Sequence, residues 1–328
     1  MTSPSPMIVA NSPAMKTAMD AVRAAAARHD GVLVCGEPGS GRRTVARELH
    51  RLALGPDAPF VEVDCPGEGD LEMAVFGVAA ASSGNGRERS GLDRVSRASQ
   101  LGTAATGGTL CLANVAEMPA RLQARLVRVL RDGEVAVAEA GRTVPVKPRL
   151  IVVSDCGWDA AIADGRIRAD LGKRCSAVRV EVPPLRQRRE DIAALAQALI
   201  DEASAAQGLG PISIPLPAQA LLAALPWQGN ARELRSLLEN LAPRVPSGQL
   251  RVEDILSAVQ IDGTARTVLT NGTLREAREH FERGYIVAAL ERHRGRIGEA
   301  ASALGIQRPN LYRKMRALKV PPPRAVHG

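Results

Sequence analysis

The chain has 328 residues, 45% of them apolar and 24% charged, which is enough for two or three domains with their own cores. No apolar run reaches the length of a membrane span and none carries the flanks of a signal peptide, so the reading excludes a membrane partner and expects the cytoplasm. The net charge of +8 is unevenly placed: from Thr273 onward twelve Lys and Arg stand against five Asp and Glu. Such a basic block is the footprint of a nucleic-acid module, a solubility device or a targeting tail.

The residues from Met1 to Pro6 read as a disordered tail, and residues 1–10 are set apart from the first domain. From Asn11 to about Val182, apolar strand-like runs alternate with helical patterns. The strand candidates are Val32–Cys35, Phe60–Val63, Thr109–Leu112, Leu150–Ser154 and Val178–Val182. That alternation predicts an α/β fold, a parallel sheet covered by helices.

Immediately after the first strand comes Gly36-Glu37-Pro38-Gly39-Ser40-Gly41-Arg42-Arg43-Thr44, and a helix is expected from Thr44 to His50. Strand, glycine-rich loop and helix in this order form a phosphate-binding loop, which works by aiming backbone N–H groups and a helix N-terminus at phosphates. The residue after the last glycine is ordinarily lysine; here it is Arg42.

The five cysteines, Cys35, Cys65, Cys111, Cys156 and Cys175, show no metal-ligand spacing, and their neighbours are apolar. They read as reduced core residues. Residues 78–92 are rich in Ala, Ser, Gly and Arg and read as a mobile loop.

Pro183-Pro184 breaks the alternation. Helical patterns follow at Arg189–Gln207, Pro217–Ala224, Ala231–Ala242 and Val252–Val259, giving a small helical domain over residues 183–260 and a linker over 261–272. The last domain is placed at 273–322 and a tail at 323–328. Within it, Ile297, Ala300, Ala301 and Leu304 share one helix face, Gly305 supplies a turn, and Pro309 opens a second helix with Leu311, Met315 and Leu318 inside. Gln307, Arg308, Asn310, Arg313 and Lys314 are left at its start and outer face, the parts a helix-turn-helix uses on double-stranded DNA. The preceding segment, Leu274 to His293, reads as a dimerisation element or as a third helix of that domain.

These motifs together resemble the bacterial sigma-54-dependent activators, which join an AAA+ ATPase domain to a Fis-type helix-turn-helix. The resemblance rests on Gly36 to Gly41, Gly107 to Leu110, Pro183 to Ile192, Trp227 to Leu234 and Ala300 through Lys314. It implies an AAA+ P-loop subdomain over 11–182, a helical lid, and an all-α DNA-binding domain. It also implies that Arg232 is the lid's sensor arginine and that Arg168 and Arg174, six residues apart, reach a neighbouring subunit's nucleotide. Trp227 is expected in the lid core. The resemblance fills the length, so no attached sensor domain is expected.

The departures from the family are as informative. Arginine keeps the lysine's charge but is longer, planar and forked. Where the family places an aspartate for magnesium and a glutamate for the attacking water, this chain has Ala113 and Asn114. No catalytic residue is therefore assigned, weak ATP or ADP binding is the most expected of the cradle, and magnesium is not expected. Asp155 stands at the sensor position, where a carboxylate repels a γ-phosphate. After Gly77 the family's aromatic-threonine loop tip, which contacts sigma-54, is missing.

The leading expectation is a DNA-binding regulator that has lost hydrolysis, with RNA polymerase holoenzyme as a partner. It would assemble as a dimer through the terminal domain or as a ring. Two alternatives stay open. One is an active ATPase using Asp64, Glu117 or Asp155 as substitute carboxylates. The other is a subunit of mixed rings with an active paralogue.

Overall fold

The computed structural model describes residues 8–65, 71–77, 94–96, 99–105, 107–137, 143–145, 147–245, 248–261, 283, 286–287, 289–290, 293, 296–318 and 320. The chain divides into two compact units, Met1–Pro184 and Leu185–Gly328.

In the first unit, five parallel strands pair in the order β2-β4-β7-β1-β8. They are β1 (Val32–Gly36), β2 (Phe60–Asp64), β4 (Thr109–Ala113), β7 (Arg149–Ser154) and β8 (Val178–Val182), at the five predicted positions with ends shifted by one residue at most. Side chains alternate across a strand, so each strand feeds two cores. Leu33, Cys35, Leu112 and Val152 pack on one face against α3 (Leu71–Phe76), α4 (Gln100–Ala104), α5 (Ala120–Asp132), α6 (Trp158–Ala163) and α7 (Ala169–Cys175). Val32, Val34, Ala113 and Val153 pack on the other against α1 (Pro13–Ala26) and α2 (Arg42–Leu54). Each of these buried leucine and valine side chains contributes about 1.5–3 kcal/mol.

Local chemistry sets the helix ends. The Ser12 hydroxyl accepts from the Met15 N–H at 3.2 Å and Pro13 follows, which starts α1. α2 begins at Arg42, two residues before the predicted start, because Gly41 already accepts from the Val45 N–H at 3.0 Å. Ile8 and Ala10, placed in the tail by sequence, instead pack partly buried against the α1–α2 core. The cysteine reading is corrected at one position: Cys156 is exposed, while the other four are buried. A second, three-stranded sheet, β3-β5-β6 (Arg94–Val95, Glu134–Val137, Thr143–Pro145), was not predicted.

The second unit holds two apolar clusters. One joins α8 (Arg189–Ala206), α9 (Leu216–Ala224), α10 (Asn230–Leu241) and α11 (Val252–Ile261) around Ile200, Leu222, Leu238 and Ile255. Trp227 is 2% exposed and donates its ring N–H to the Leu222 carbonyl at 2.7 Å, so it belongs to this core as expected. The other cluster lies in the terminal block. Ala300 and Ala301 of the Ile297–Ala303 helix pack with Leu311 and Met315 of the Arg308–Ala317 helix, and Gly305 takes φ 66 at the turn. Ile286 and Leu290 enter the same core, which fits the third-helix alternative for that segment. Leu274 and Phe281, the linker after Ile261 and the 78–92 loop lie outside the described residues.

Candidate nucleotide and nucleic-acid sites

In an open parallel sheet, ligands bind beyond the carboxyl ends of the strands. That edge gathers most of the residues singled out above. The loop from Gly36 to Gly41 follows β1; Ala113 ends β4 with Asn114 behind it; Asp155 follows β7. Strand register aligns Asp64 with Ala113, Ala113 with Val153 and Cys35 with Ser154, so these ends lie side by side.

The loop has the form of a phosphate cradle. Ser40 N–H bonds back to the Glu37 carbonyl at 3.1 Å, closing a turn that contains Pro38 and Gly39. A Cβ on Gly36 would stand 2.6 Å from the Val182 carbonyl oxygen, so no side chain fits there. Gly41 holds φ +99, and nothing lies within 4 Å of where its Cβ would project. The loop thus keeps open space at its tip and delivers the chain to the N-terminus of a 13-residue helix, whose first-turn amides have no acceptor within the helix. Arg42 and Thr44 are partly buried in that first turn. These features fit a bound nucleotide phosphate.

A divalent ion does not fit the same edge. Ala113 is 2% exposed and offers no ligand, and Asn114 sits in the left-handed region at φ 54. The Asn114 amide donates to Asp64 Oδ1 at 2.8 Å, and Arg43 donates to Asp64 Oδ2 at 2.5 Å. Arg43 Nη1 also lies 3.0 Å from Glu62 Oε1, and Arg47 donates to Glu62 Oε2 at 3.1 Å. Burial pushes the Asp64 carboxyl up, but the bonds from Arg43 and Asn114 outweigh it and hold it below its ordinary value. The bond to Asp64 likewise holds the Arg43 guanidinium above its ordinary value. Arg43, expected from the sequence to contact phosphate, is thereby turned to two carboxylates. Nothing in the loop sequence alone marks that pairing; Glu62 and Asp64, two residues apart at the end of β2, are the visible half of it.

The other substitute carboxylates are placed as follows. Asp155 Oδ1 accepts from the Gly157 N–H at 2.9 Å, a local turn, and Glu117 lies exposed in a short 3-10 helix after Asn114. Among the described residues no cluster of three His, Cys, Asp or Glu could hold a metal ion.

The two trans-acting arginine candidates both have partners within the chain. Arg168 makes a forked pair with Asp170 at 3.1 and 2.7 Å, and its backbone N–H is held by Gln123 at 2.9 Å. Arg174 donates to the Leu130 carbonyl at 2.6 Å, capping the end of α5. Arg232 is exposed on α10 of the lid. Buried Asn230 beside it accepts from the Leu185 N–H at 2.7 Å and fixes the start of that helix.

In the terminal block, Gln307 precedes the Arg308–Ala317 helix and is exposed together with Arg308, Asn310 and Arg313, while Lys314 is partly buried. Tyr312, which the sequence reading left out of the DNA-facing set, is 45% exposed, and the Arg308 guanidinium sits 5.9 Å from its ring centroid. Its spacing of four from Arg308 was the available signal. The helix therefore presents a polar, cationic outer face of the kind that reads base edges and neutralises phosphates.

Family models match the same three parts of the chain. The sigma-54 interaction domain matches residues 8–181, the AAA+ ATPase lid domain residues 186–270, and the Fis family of bacterial regulatory proteins residues 277–318. The nitrogen assimilation regulatory protein NtrX of Azorhizobium caulinodans is 35% identical over 303 residues, 88% of this chain and 64% of its own length. The regulatory protein AtoC of Escherichia coli is 32% identical over 96% of this chain and 68% of its own length. The chain thus spans slightly under two thirds of that NtrX, and 59% of the nitric oxide reductase regulator NorR1 of Cupriavidus necator. Crystal structures of Brucella abortus NtrX with ATP and with ADP share the fold, at TM-scores of 0.69 and 0.68 and identities of 30% and 29%. Each covers 96% of this chain, which spans 70% of theirs. The sheet order, the P-loop and the Fis-type helix pair agree with these matches, and the chain belongs to the bacterial sigma-54-dependent transcriptional activator family, AAA+ proteins with a DNA-binding helix-turn-helix.

Proposed function

We propose that this chain regulates transcription by occupying DNA through its Arg308–Ala317 helix, with an AAA+ domain that holds adenine nucleotide and does not hydrolyse it. The observation that carries this reading is the end of β4, where Ala113 and Asn114 stand and the carboxylate in register with Ala113, Asp64, is bonded to Arg43 and Asn114. Phosphoryl transfer is catalysed by positioning and charge neutralisation, through a metal held by a carboxylate and a group that orients the nucleophile. Alanine ligates no metal and an amide cannot serve as a carboxylate base, so several orders of magnitude in rate are lost.

The cradle argues for retained binding, and Brucella abortus NtrX, a relative of the same fold, is solved with ATP and with ADP. The nucleotide then stabilises an arrangement of the chain instead of driving a cycle. Within the first unit, Arg42 is the cation assigned to its phosphates. Control of sigma-54 by the family's loop is not part of this reading, because residues 78–86 lack an aromatic-threonine tip. The protein acts on RNA polymerase by where it sits, as a repressor or beside another sigma factor, in a dimer through the terminal domain or a ring.

The exposed Arg168 favours a second reading, in which the chain joins rings of an active relative and offers that arginine in trans. Asp170 must release it first. Titrating the chain into an active relative distinguishes the two: a changed ATPase rate supports the mixed ring, and an unchanged rate leaves site occupancy alone. For the main reading, the test is nucleotide binding measured beside phosphate release on the same preparation. Binding without release supports it, and release that depends on the P-loop overturns it.

A further inference from the structure

A P-loop site that uses a divalent ion holds it between a loop hydroxyl and a strand-end carboxylate, where it bridges phosphate oxygens. In this chain the two carboxylates at the end of β2 are already engaged by guanidinium or amide groups, and Asp155 after β7 accepts from the Gly157 N–H. Asp64 Oδ2 takes Arg43 at 2.5 Å and Oδ1 takes Asn114 at 2.8 Å; Glu62 Oε1 lies 3.0 Å from Arg43 and Oε2 takes Arg47 at 3.1 Å. A metal ion has to displace a guanidinium or an amide to reach either one. Ala113, between them and β7 in register, offers nothing.

The positive charge that an ion brings is instead built into the chain. Arg42 and Arg43 are consecutive in the first turn of α2, where the helix N-terminus adds its own positive end. Arg43 pairs through Nη1 and Nη2, and its side chain remains 51% exposed, so N–H donors are left over, while the surplus of positive charge comes from Arg42 and Arg47 beside it on α2. A guanidinium suits this post: it is always charged, it is weakly hydrated, and its fork matches both carboxylate and phosphate geometry. The Asp64–Asn114 bond holds the anchoring carboxylate in place, so the guanidinium is fixed against β2 before any ligand arrives.

We infer that the Arg43 guanidinium takes the place of the divalent cation in this site, so that the P-loop binds adenine nucleotide without magnesium. The inference rests on the reading of the loop as a nucleotide cradle. It extends that reading to the form of the ligand, a free nucleoside triphosphate or diphosphate instead of its metal complex.

The test is a fluorescence titration of the full chain with N-methylanthraniloyl-ATP, once with EDTA and once with excess magnesium, with Gly41→Asp as the blank. The expected dissociation constants agree within about twofold. In Arg43→Gln the fixed cation is gone and Asp64 is released; affinity in EDTA falls about tenfold, and magnesium restores most of it. Binding by the wild-type chain only when magnesium is present overturns the inference and leaves the nucleotide cradle standing. Absence of binding above the blank in both conditions overturns both. Should Arg43→Gln fail to fold by circular dichroism, the wild-type comparison decides alone.

Discussion

Arg43 Nη2 lies 2.5 Å from Asp64 Oδ2, which ties the first turn of the P-loop helix to the carboxyl end of β2. One pairing thereby occupies the carboxylate in register with Ala113 and turns the second arginine of the loop away from a purely phosphate-binding role. The functional reading of the first unit depends on that clamp.

The clamp has a pH signature. The Asp64 carboxyl is held below its ordinary value, so the stability it contributes is fully present above the unfolded value of about pH 4 and lost as pH falls through the depressed folded value. The pair is about half exposed, so the contribution stays below about 1 kcal/mol. Thermal unfolding of wild type and Asp64→Asn should differ by a constant small amount above about pH 4, with the gap closing below it. A gap that widens on acidification contradicts the pairing.

Glu72 and Arg125 form a pair at 2.7 Å with side chains only 10% and 5% exposed, and Arg125 lies over the Phe76 ring at 4.1 Å. Removing one partner leaves a buried charge. Glu72→Ala should destabilise the first unit by about 3 kcal/mol or more, while Glu72→Ala with Arg125→Met recovers much of the loss. Denaturant unfolding measures both.

Of the five cysteines only Cys156 is exposed, and burial pushes the Cys65, Cys111 and Cys175 thiols up to about 12. The thiolate is the reactive form. Native protein should therefore release one equivalent of thionitrobenzoate promptly and five after denaturation. Prompt reaction at two or more sites indicates that the β1 or β4 core is open.

On DNA, Arg308→Ala and Arg313→Ala should each weaken binding to a mapped genomic site by about 1–3 kcal/mol, and Tyr312→Ala should act through Arg308. Lys314→Ala should lower affinity for all sequences and reduce the salt slope by about one. A chain ending at Gly263 that still binds the mapped site refutes the assignment of DNA binding to the terminal block.

Three of the five main strands were legible as apolar runs buried on both faces, as Val32 to Gly36 and Thr109 to Ala113 are along their whole length, while Phe60–Asp64 and Val178–Val182 at the sheet edges showed through their alternating valines. The Ile297–Ala303 and Arg308–Ala317 helices were legible from Ala300, Leu311 and Met315 on their inner faces. The second sheet was not: Arg94–Val95 has two residues and Thr143–Pro145 three, too short for any periodicity. The position of Arg43 was not legible either. Sequence shows a second arginine after the loop; only the register of β2 beside β4 brings Glu62, Asp64 and Asn114 to meet it. Arg42 stands out in the sequence because it replaces the expected lysine, whereas the pairing with Glu62 and Asp64 is made by its neighbour.

The central claim is tested most directly by steady-state phosphate release from the purified chain with ATP and magnesium, measured beside Gly41→Asp. The account predicts that the two are indistinguishable, while nucleotide binding is present in the wild type and absent in the variant. Phosphate release that disappears in Gly41→Asp would contradict it.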